Sequence, residues 1–148
     1  MKEFLTVKFN LSLLSVTSII LCLPFSSIAN THADKDVIAD PLTQCYNQIG
    51  DAPRTAIQGC LTSKLTAADS AMTKAVRDNK TNLEQTGSSA TKTAIASLKK
   101  SQKDFLRFRE SECQRQSDAI LGGSGSGDVF LSCKVELTYS RVKSLQKE

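Results

Sequence analysis

The chain has 148 residues, of which 23% are charged and 5% aromatic, and its formal net charge is +4 at pH 7. This length accommodates one globular domain. The charge is mild and spread along the sequence, without the interleaved basic and aromatic residues that stack nucleic-acid bases, which argues against a nucleic-acid-binding protein.

The amino-terminal segment has the pattern of a secretory signal peptide. Two lysines precede an apolar run from residue 11 to 25, and small residues follow it. The signal is predicted over residues 1–29, and cleavage after Ala29 or Ala33 fits the small residues equally well. Residues 30–40 are polar and are predicted to be flexible. Removing 1–29 leaves 17 basic and 14 acidic residues, so the exported chain, with net charge +3, is predicted to be soluble and periplasmic or secreted.

The remaining residues, 41–148, are predicted to form one all-α domain. Apolar residues recur at steps of three and four, and no segment alternates as a strand does. Two long antiparallel helices, joined by a turn about Gly87, are expected to be flanked by two shorter helices. In chain order, the first helix covers PLTQCYNQIG from Pro41 to Gly50, the second begins near Pro53 or Arg54, the third follows the TGSS turn at residues 86–89, and the fourth runs from about Val129 to Gln146.

Four cysteines remain in the exported chain: Cys45, Cys60, Cys113 and Cys133. An even set outside the cytoplasm favours disulfides over a metal site, and His32, the only histidine, lies beside the cleavage region. Each cysteine pair is centred on a predicted turn, so all four should gather at one end, about 40 Å from the TGSS turn. Because all four cysteines then lie at the same height along the helices, their position leaves three disulfide pairings open. We predict Cys45 with Cys60 and Cys113 with Cys133, because each pair joins adjacent helices across a short loop.

The end of the helical pair near TGSS is expected to be poorly covered, because the first and last helices are short. Alanines in both long helices would let their backbones approach closely, while Val76, Leu83 and Ile95 would remain partly exposed. We predict that this arm either forms a homodimer or contacts a partner.

A polar cluster is expected on facing helices. Arg109 and Arg141 lie at nearby levels with Thr138 between them. One interpretation is a site that receives a carboxylate from a partner. The other is a brace in which the arginines pair with Glu112 or Asp69. The candidate binding residues of this cluster are Gln102, Phe105, Arg109 and Arg141.

The segment Gly122–Asp128 contains four glycines and two serines and is predicted to be a loop. It either inserts into the cleft of an enzyme or serves only as a flexible connection. A disulfide at its base would order it and thereby favour binding. Its candidate binding residues are Gly123, Ser124, Gly125 and Asp128.

Catalysis finds little support in the sequence. There is no histidine available as a base, no Ser-His-Asp order, no phosphate-cradling motif and no metal cluster, and oxidised cysteines are not nucleophiles. The protein is predicted not to be an enzyme and to need no cofactor.

One ordered pattern covers the third and fourth helices and, together with the upstream cysteines, extends from about Leu42 to Leu145. It reads Q-x-x-F-x-x-(aromatic)-R-x-x-x-C, then a glycine-rich gap, then C-x-x-x-x-T-x-x-R-x-x-x-L. The pattern resembles the LprI-type lysozyme-inhibitor-like family of small bacterial envelope proteins, although many relatives carry Trp where this chain has Phe105. The matching positions are Gln102, Phe105, Phe108, Arg109, Cys113, Cys133, Thr138, Arg141 and Leu145, together with Cys45 and Cys60-Leu61 upstream.

The resemblance implies a binding protein whose partner is a lysozyme or another cell-wall-active enzyme. Animal-type lysozymes are strongly basic, so a net charge of +3 predicts no long-range attraction to them. Two alternatives stay open: a periplasmic immunity or accessory protein that neutralises a secreted toxin, and a structural dimer of the cell envelope.

Overall fold

The computed structural model describes residues 40–147, which form four α-helices and contain no strand. The all-α prediction is therefore confirmed. The predicted signal peptide, both cleavage sites, His32 and residues 30–39 lie outside the described residues. None of the four helices is long and apolar enough to cross a membrane. The helices are α1 (Pro41–Ile49), α2 (Ala56–Thr86), α3 (Thr91–Asp118) and α4 (Ser126–Leu145).

Local signals fix the start of α1. The carboxylate of Asp40 accepts hydrogen bonds from the backbone N–H of Thr43 at 3.0 Å and from its hydroxyl at 2.6 Å, and Pro41 occupies the first turn. The Thr43 hydroxyl, with the backbone bonds, holds the pKa of the Asp40 carboxyl below its ordinary value. This end of the helix is therefore capped by a charge that stays ionised at neutral pH.

The turn between α2 and α3 depends on a glycine. Gly87 adopts φ 61° and ψ 20°, in the left-handed region, and its N–H donates to the carbonyl of Glu84 at 3.3 Å. Glycine takes this conformation without the steric penalty of a side chain. The Thr91 hydroxyl then donates to the carbonyl of Leu83 across the turn at 3.2 Å. The two long helices consequently run antiparallel, as predicted from the TGSS break.

The fourth helix begins earlier than predicted. It starts at Ser126 rather than near Val129, so Asp128 lies in its first turn and the connection from α3 comprises residues 119–125. The prediction of a loop extending to Asp128 is therefore wrong at its carboxyl end. A carboxylate in the first turn is favourable there because it faces the positive end of the helix dipole.

Helix α4 packs against each of the other three helices. Near the disulfides, a cluster centred on Cys45, Ile57 and Leu61 joins α1 to α2. Toward the Gly87 turn, a second apolar cluster joins α2, α3 and α4. Its buried members are Met72, Ala75, Leu98, Val142 and Leu145.

The structure contains both predicted disulfides. Cys45 bonds to Cys60, with their Cα atoms 5.8 Å apart, and Cys113 bonds to Cys133, with Cα atoms 5.4 Å apart. The first ties α1 to α2, and the second ties α3 to α4 across the connecting loop. Both lie at the end of the helices away from Gly87.

Candidate functional site

The predicted arginine cluster lies between helices. One nitrogen of Arg109, Nη1, donates to the carboxylate of Asp69 on α2 at 2.5 Å and to the hydroxyl of Thr138 on α4 at 2.6 Å. The Thr138 hydroxyl in turn donates a hydrogen bond to the backbone carbonyl of Lys134, also at 2.6 Å. Arg109 therefore braces three helices through Asp69, and Glu112 takes no part in this contact.

Arg141 forms a second polar layer about one turn away. Its Nε donates to the amide oxygen of Gln102 at 3.3 Å and its Nη2 to the hydroxyl of Ser101 at 2.8 Å. The guanidinium also lies 5.7 Å from the centre of the Phe105 ring, within reach of a cation–π interaction. The amide nitrogen of Gln102 contacts the sulfur of Met72 on α2 at 3.1 Å.

These contacts use the predicted binding residues to join helices. Gln102, Phe105, Arg109 and Arg141 each contact another helix or the core, and Arg109 is itself buried. A carboxylate from a partner would have to displace Asp69 from Arg109. A binding role for the four remains a prediction that these contacts do not test.

The α3–α4 loop, residues 119–125, presents a different kind of surface at the disulfide end. Gly123 and Ser124 are exposed, and Gly125 is half-buried against the guanidinium of Arg54. Asp128 lies just beyond the loop. Its side chain is only 6% exposed and faces Arg54, with 3.5 Å between Oδ2 and Nη2. Asp128 thus anchors the loop to the start of α2 instead of projecting from it.

Leu121 is the outermost apolar side chain of the loop. It is 91% exposed, and its backbone adopts φ 54°, the only positive φ among the described residues other than glycine. For an L-residue with a side chain, this left-handed conformation costs free energy. Leu121 thus combines an exposed aliphatic side chain with a disfavoured backbone, and such outliers concentrate at functional sites.

Several contacts hold the loop in this conformation. The backbone N–H of Leu121 donates to the carbonyl of Asp118 at 2.9 Å, and the Ser117 hydroxyl donates to the carbonyl of Ser126 at 2.9 Å across the loop base. The Cys113–Cys133 disulfide closes the same base one turn further in. The neighbouring Ile120 is also exposed. Sequence reasoning missed this pair, although two adjacent aliphatic residues directly before a glycine-rich loop were a visible signal.

Charge is divided between the two ends of the helical domain. We call residues 40–69 and 109–138 the disulfide end and residues 70–108 and 139–147 the distal arm. The disulfide end has eight acidic and five basic residues, a net charge of −3, whereas the distal arm has three acidic and eleven basic residues, a net charge of +8. The mild overall charge therefore conceals two regions of opposite sign.

One carboxyl group of the disulfide end, that of Glu112, is held ionised by its neighbours. Arg115 donates two hydrogen bonds to Glu112, at 2.9 and 2.5 Å, and Gln116 donates a third at 3.1 Å. These bonds lower the pKa of the Glu112 carboxyl from 4.5 to about 2. The negative charge of Glu112 therefore persists at mildly acidic pH.

The distal arm contains a groove between α2 and α3, with a volume of about 730 Å³, and the last turn of α4 lines one side of it. Ala71, Ala75 and Ala94 line this groove, so these alanines do not bring the two backbones into close contact here as the alanine pattern predicted. Self-association through this arm remains a prediction, which sedimentation velocity at high protein concentration tests.

The fold and this surface define a small helical protein, stapled by two disulfides, whose prominent exposed features suit contact with another protein. Among residues 40–147, no group of three or more His, Cys, Asp or Glu side chains is arranged to hold a metal ion. The model of the lysozyme inhibitor LprI family matches residues 45–145, and the chain belongs to this family. No curated protein and no solved structure matches the chain. Family membership indicates a lysozyme-inhibitor-like binding function.

Proposed function

We propose that the protein binds a lysozyme or a related cell-wall hydrolase outside the cytoplasm and blocks it by contact, without catalysis. The contact surface is the tip of the α3–α4 loop, with Leu121 as its anchor. The observation that carries this proposal is the exposed Leu121, held in a disfavoured backbone conformation by a hydrogen-bonded and disulfide-closed loop. The family supports the kind of partner.

The fixed loop favours tight binding. A loop that is already ordered loses little conformational entropy when it enters a cleft, so more of the contact energy appears as affinity. An aliphatic side chain that becomes fully buried at the centre of an interface is a typical anchor. A partner can approach Leu121 without meeting side chains from the adjacent glycines. The space beside Gly122 is open, since a Cβ there would meet nothing within 4 Å.

Electrostatics supports the same orientation. Animal-type lysozymes are strongly basic, and the surface around the loop carries net negative charge. A complementary potential raises the association rate even when the whole protein is weakly positive. The distal arm would be repelled by the same partner, so the two ends together favour an approach through the loop.

The location outside the cytoplasm rests on two features. Disulfides persist in oxidising compartments, and both pairs of cysteines are bonded. The amino-terminal sequence adds the pattern of a signal peptide. Export would bring the protein to the compartment in which cell-wall hydrolases act.

The test is a lysis assay with a purified animal-type lysozyme and a bacterial cell-wall suspension. We expect the oxidised protein to slow lysis in a saturable manner, with an association rate that falls as salt rises. Asp51→Asn with Asp118→Asn should slow association by removing two exposed charges near the loop. The matched control, Asp78→Asn with Glu84→Gln, removes the same charge from the distal arm and should leave the rate largely unchanged. Undiminished lysis with a large excess of oxidised protein would refute the proposal.

A further inference from the structure

The exposed face of α3 in the distal arm carries a line of lysines. Lys92, Lys99 and Lys103 are separated by seven and four residues, so they share one face of the helix. Ala96 and Leu106 fall on the same face, and all five side chains are exposed. The line spans about 20 Å at 1.5 Å per residue. We call these five residues the lysine face.

The three lysines of this face differ from the neighbouring cations of α3 in their pairing. Lys100 and Arg107 both pair with Asp104, at 2.6 and 3.5 Å, whereas Lys92, Lys99 and Lys103 form no salt bridge with any carboxylate among residues 40–147. Like charges aligned on one helix face repel one another, which weakens the isolated helix slightly. The arrangement therefore does not serve helix stability, and it leaves three ammonium groups available to an external anion.

The shape of the lysine face indicates the kind of anion. The five residues lie along the outer surface of one helix, which offers no concave site for one small anion or one extended strand. It also lacks an aromatic side chain for stacking bases, because Phe108 is nine residues from Lys99 and lies on the opposite side of the helix. A line of cations that ends in a partly exposed leucine, Leu106 at 39%, suits a broad plane of negative charge with an apolar layer beneath it.

We propose that the lysine face docks the protein on a bilayer containing anionic phospholipid. Each lysine near such a surface contributes to binding through the negative surface potential, and Leu106 reaches the level of the headgroups. The acidic disulfide end is repelled by the same membrane. The distal arm, rather than the disulfide end, is consequently the part of the protein that meets the lipid. This docking does not depend on the identity of the enzyme that the loop contacts.

The experiment measures sedimentation of the oxidised protein with vesicles of phosphatidylglycerol and phosphatidylcholine, and with vesicles of phosphatidylcholine alone. We expect binding to the anionic vesicles only. This binding should fall steeply as added salt shortens the Debye length from about 30 Å at 0.01 M to about 8 Å at 0.15 M ionic strength. The triple variant K92Q/K99Q/K103Q should bind these vesicles roughly tenfold or more weakly. All three lysines are exposed, so its circular dichroism and thermal unfolding should match those of the unchanged protein.

A matched variant separates the lysine face from net charge. K74Q/K80Q/K143Q removes three cations of the distal arm from α2 and α4, two of them paired with Asp78 and Glu84, and we expect it to bind anionic vesicles at least several-fold more tightly than the first variant. Equal losses in both triple variants, or equal binding to neutral and anionic vesicles, would overturn the proposal. Equally tight binding of duplex DNA at the same salt, lost in the K92Q/K99Q/K103Q variant, would assign the face to nucleic acid instead of lipid.

Discussion

Replacing Leu121 by glycine should affect stability and inhibition in opposite directions. At φ 54°, the backbone of Leu121 carries a penalty of roughly 1–2 kcal/mol that glycine avoids. Glycine in turn has greater freedom in the unfolded chain, which costs about 0.5–1 kcal/mol. Because the side chain is 91% exposed, its removal loses almost no buried surface. The free energy of unfolding should therefore stay unchanged or rise by up to about 1.5 kcal/mol.

Inhibition should weaken in the same variant. Burying a leucine side chain at an interface is worth about 1.5–3 kcal/mol, and each 1.4 kcal/mol corresponds to a factor of ten in affinity. The inhibition constant should rise roughly tenfold to a hundredfold. Leu121→Ala should weaken inhibition similarly while keeping the backbone penalty, so its stability should not increase. Tyr139→Ala, which removes an exposed aromatic ring from α4, is the control and should inhibit normally.

Urea denaturation followed by circular dichroism gives the stabilities, and the lysis assay gives the inhibition constants. A loss of more than about 1 kcal/mol in the glycine variant would show that Leu121 is packed in solution. Unaltered inhibition constants for both Leu121 variants would show that the loop tip is not the contact surface, even if the protein does inhibit.

Three further outcomes test other parts of the structure. Arg109→Met should lower the free energy of unfolding by about 1–2 kcal/mol without weakening inhibition by the folded protein, and a specific loss of inhibition at full stability would instead favour a binding role. Replacing Cys113 and Cys133 together by serine should cost about 3 kcal/mol by the loop-entropy argument and should also weaken inhibition, because the loop base opens; normal inhibition at a temperature where the variant is folded would contradict this. Burial, reinforced by the charge of Asp40, raises the pKa of the Glu136 carboxyl above its ordinary value of 4.5, so the folded state binds the proton more tightly than the unfolded chain does. Stability is therefore lost as pH rises from 4.5 through the raised value, and Glu136→Gln should melt at a higher temperature than the unchanged protein at pH 7 but not well below pH 4.5.

The helices and disulfides were predictable because each depends on short-range information. Apolar residues at steps of three and four define the helix faces, and the glycines at positions 50 and 87 end helices where the pattern breaks. Cysteines on adjacent helices, at equal distances from a short turn, meet at the same level. That arithmetic places all four cysteines at one end, and the short connections between adjacent helices then select the observed pairs, Cys45 with Cys60 and Cys113 with Cys133.

The loop tip and the division of charge were harder to predict for different reasons. The loop that contains Leu121 is held partly by contacts distant in sequence, including the pairing of Arg54 with Asp128, seventy-four residues apart. The charge division was available in principle, since an antiparallel fold about Gly87 assigns each residue to an end. The net charge summed over the whole chain combines the negative disulfide end with the positive distal arm, so it does not reveal the difference between them.

The environment of Arg109 explains why replacing it by methionine should lower the free energy of unfolding only moderately. A hydrogen bond to a charged group contributes about 1.5–3 kcal/mol, and Arg109 makes one to Asp69. However, the Asp69 side chain is 41% exposed, so without its partner it is hydrated and does not become a buried unpaired charge. Thr138 keeps its bond to the carbonyl of Lys134, and methionine fills much of the space left by the arginine stem. The buried Nε of Arg109, which has no protein partner, carries a penalty that methionine also removes. Alanine does not fill this space, so Arg109→Ala should lower the free energy of unfolding more than Arg109→Met does. The difference between the two variants measures the packing of the aliphatic part of Arg109, separately from the charge of its guanidinium.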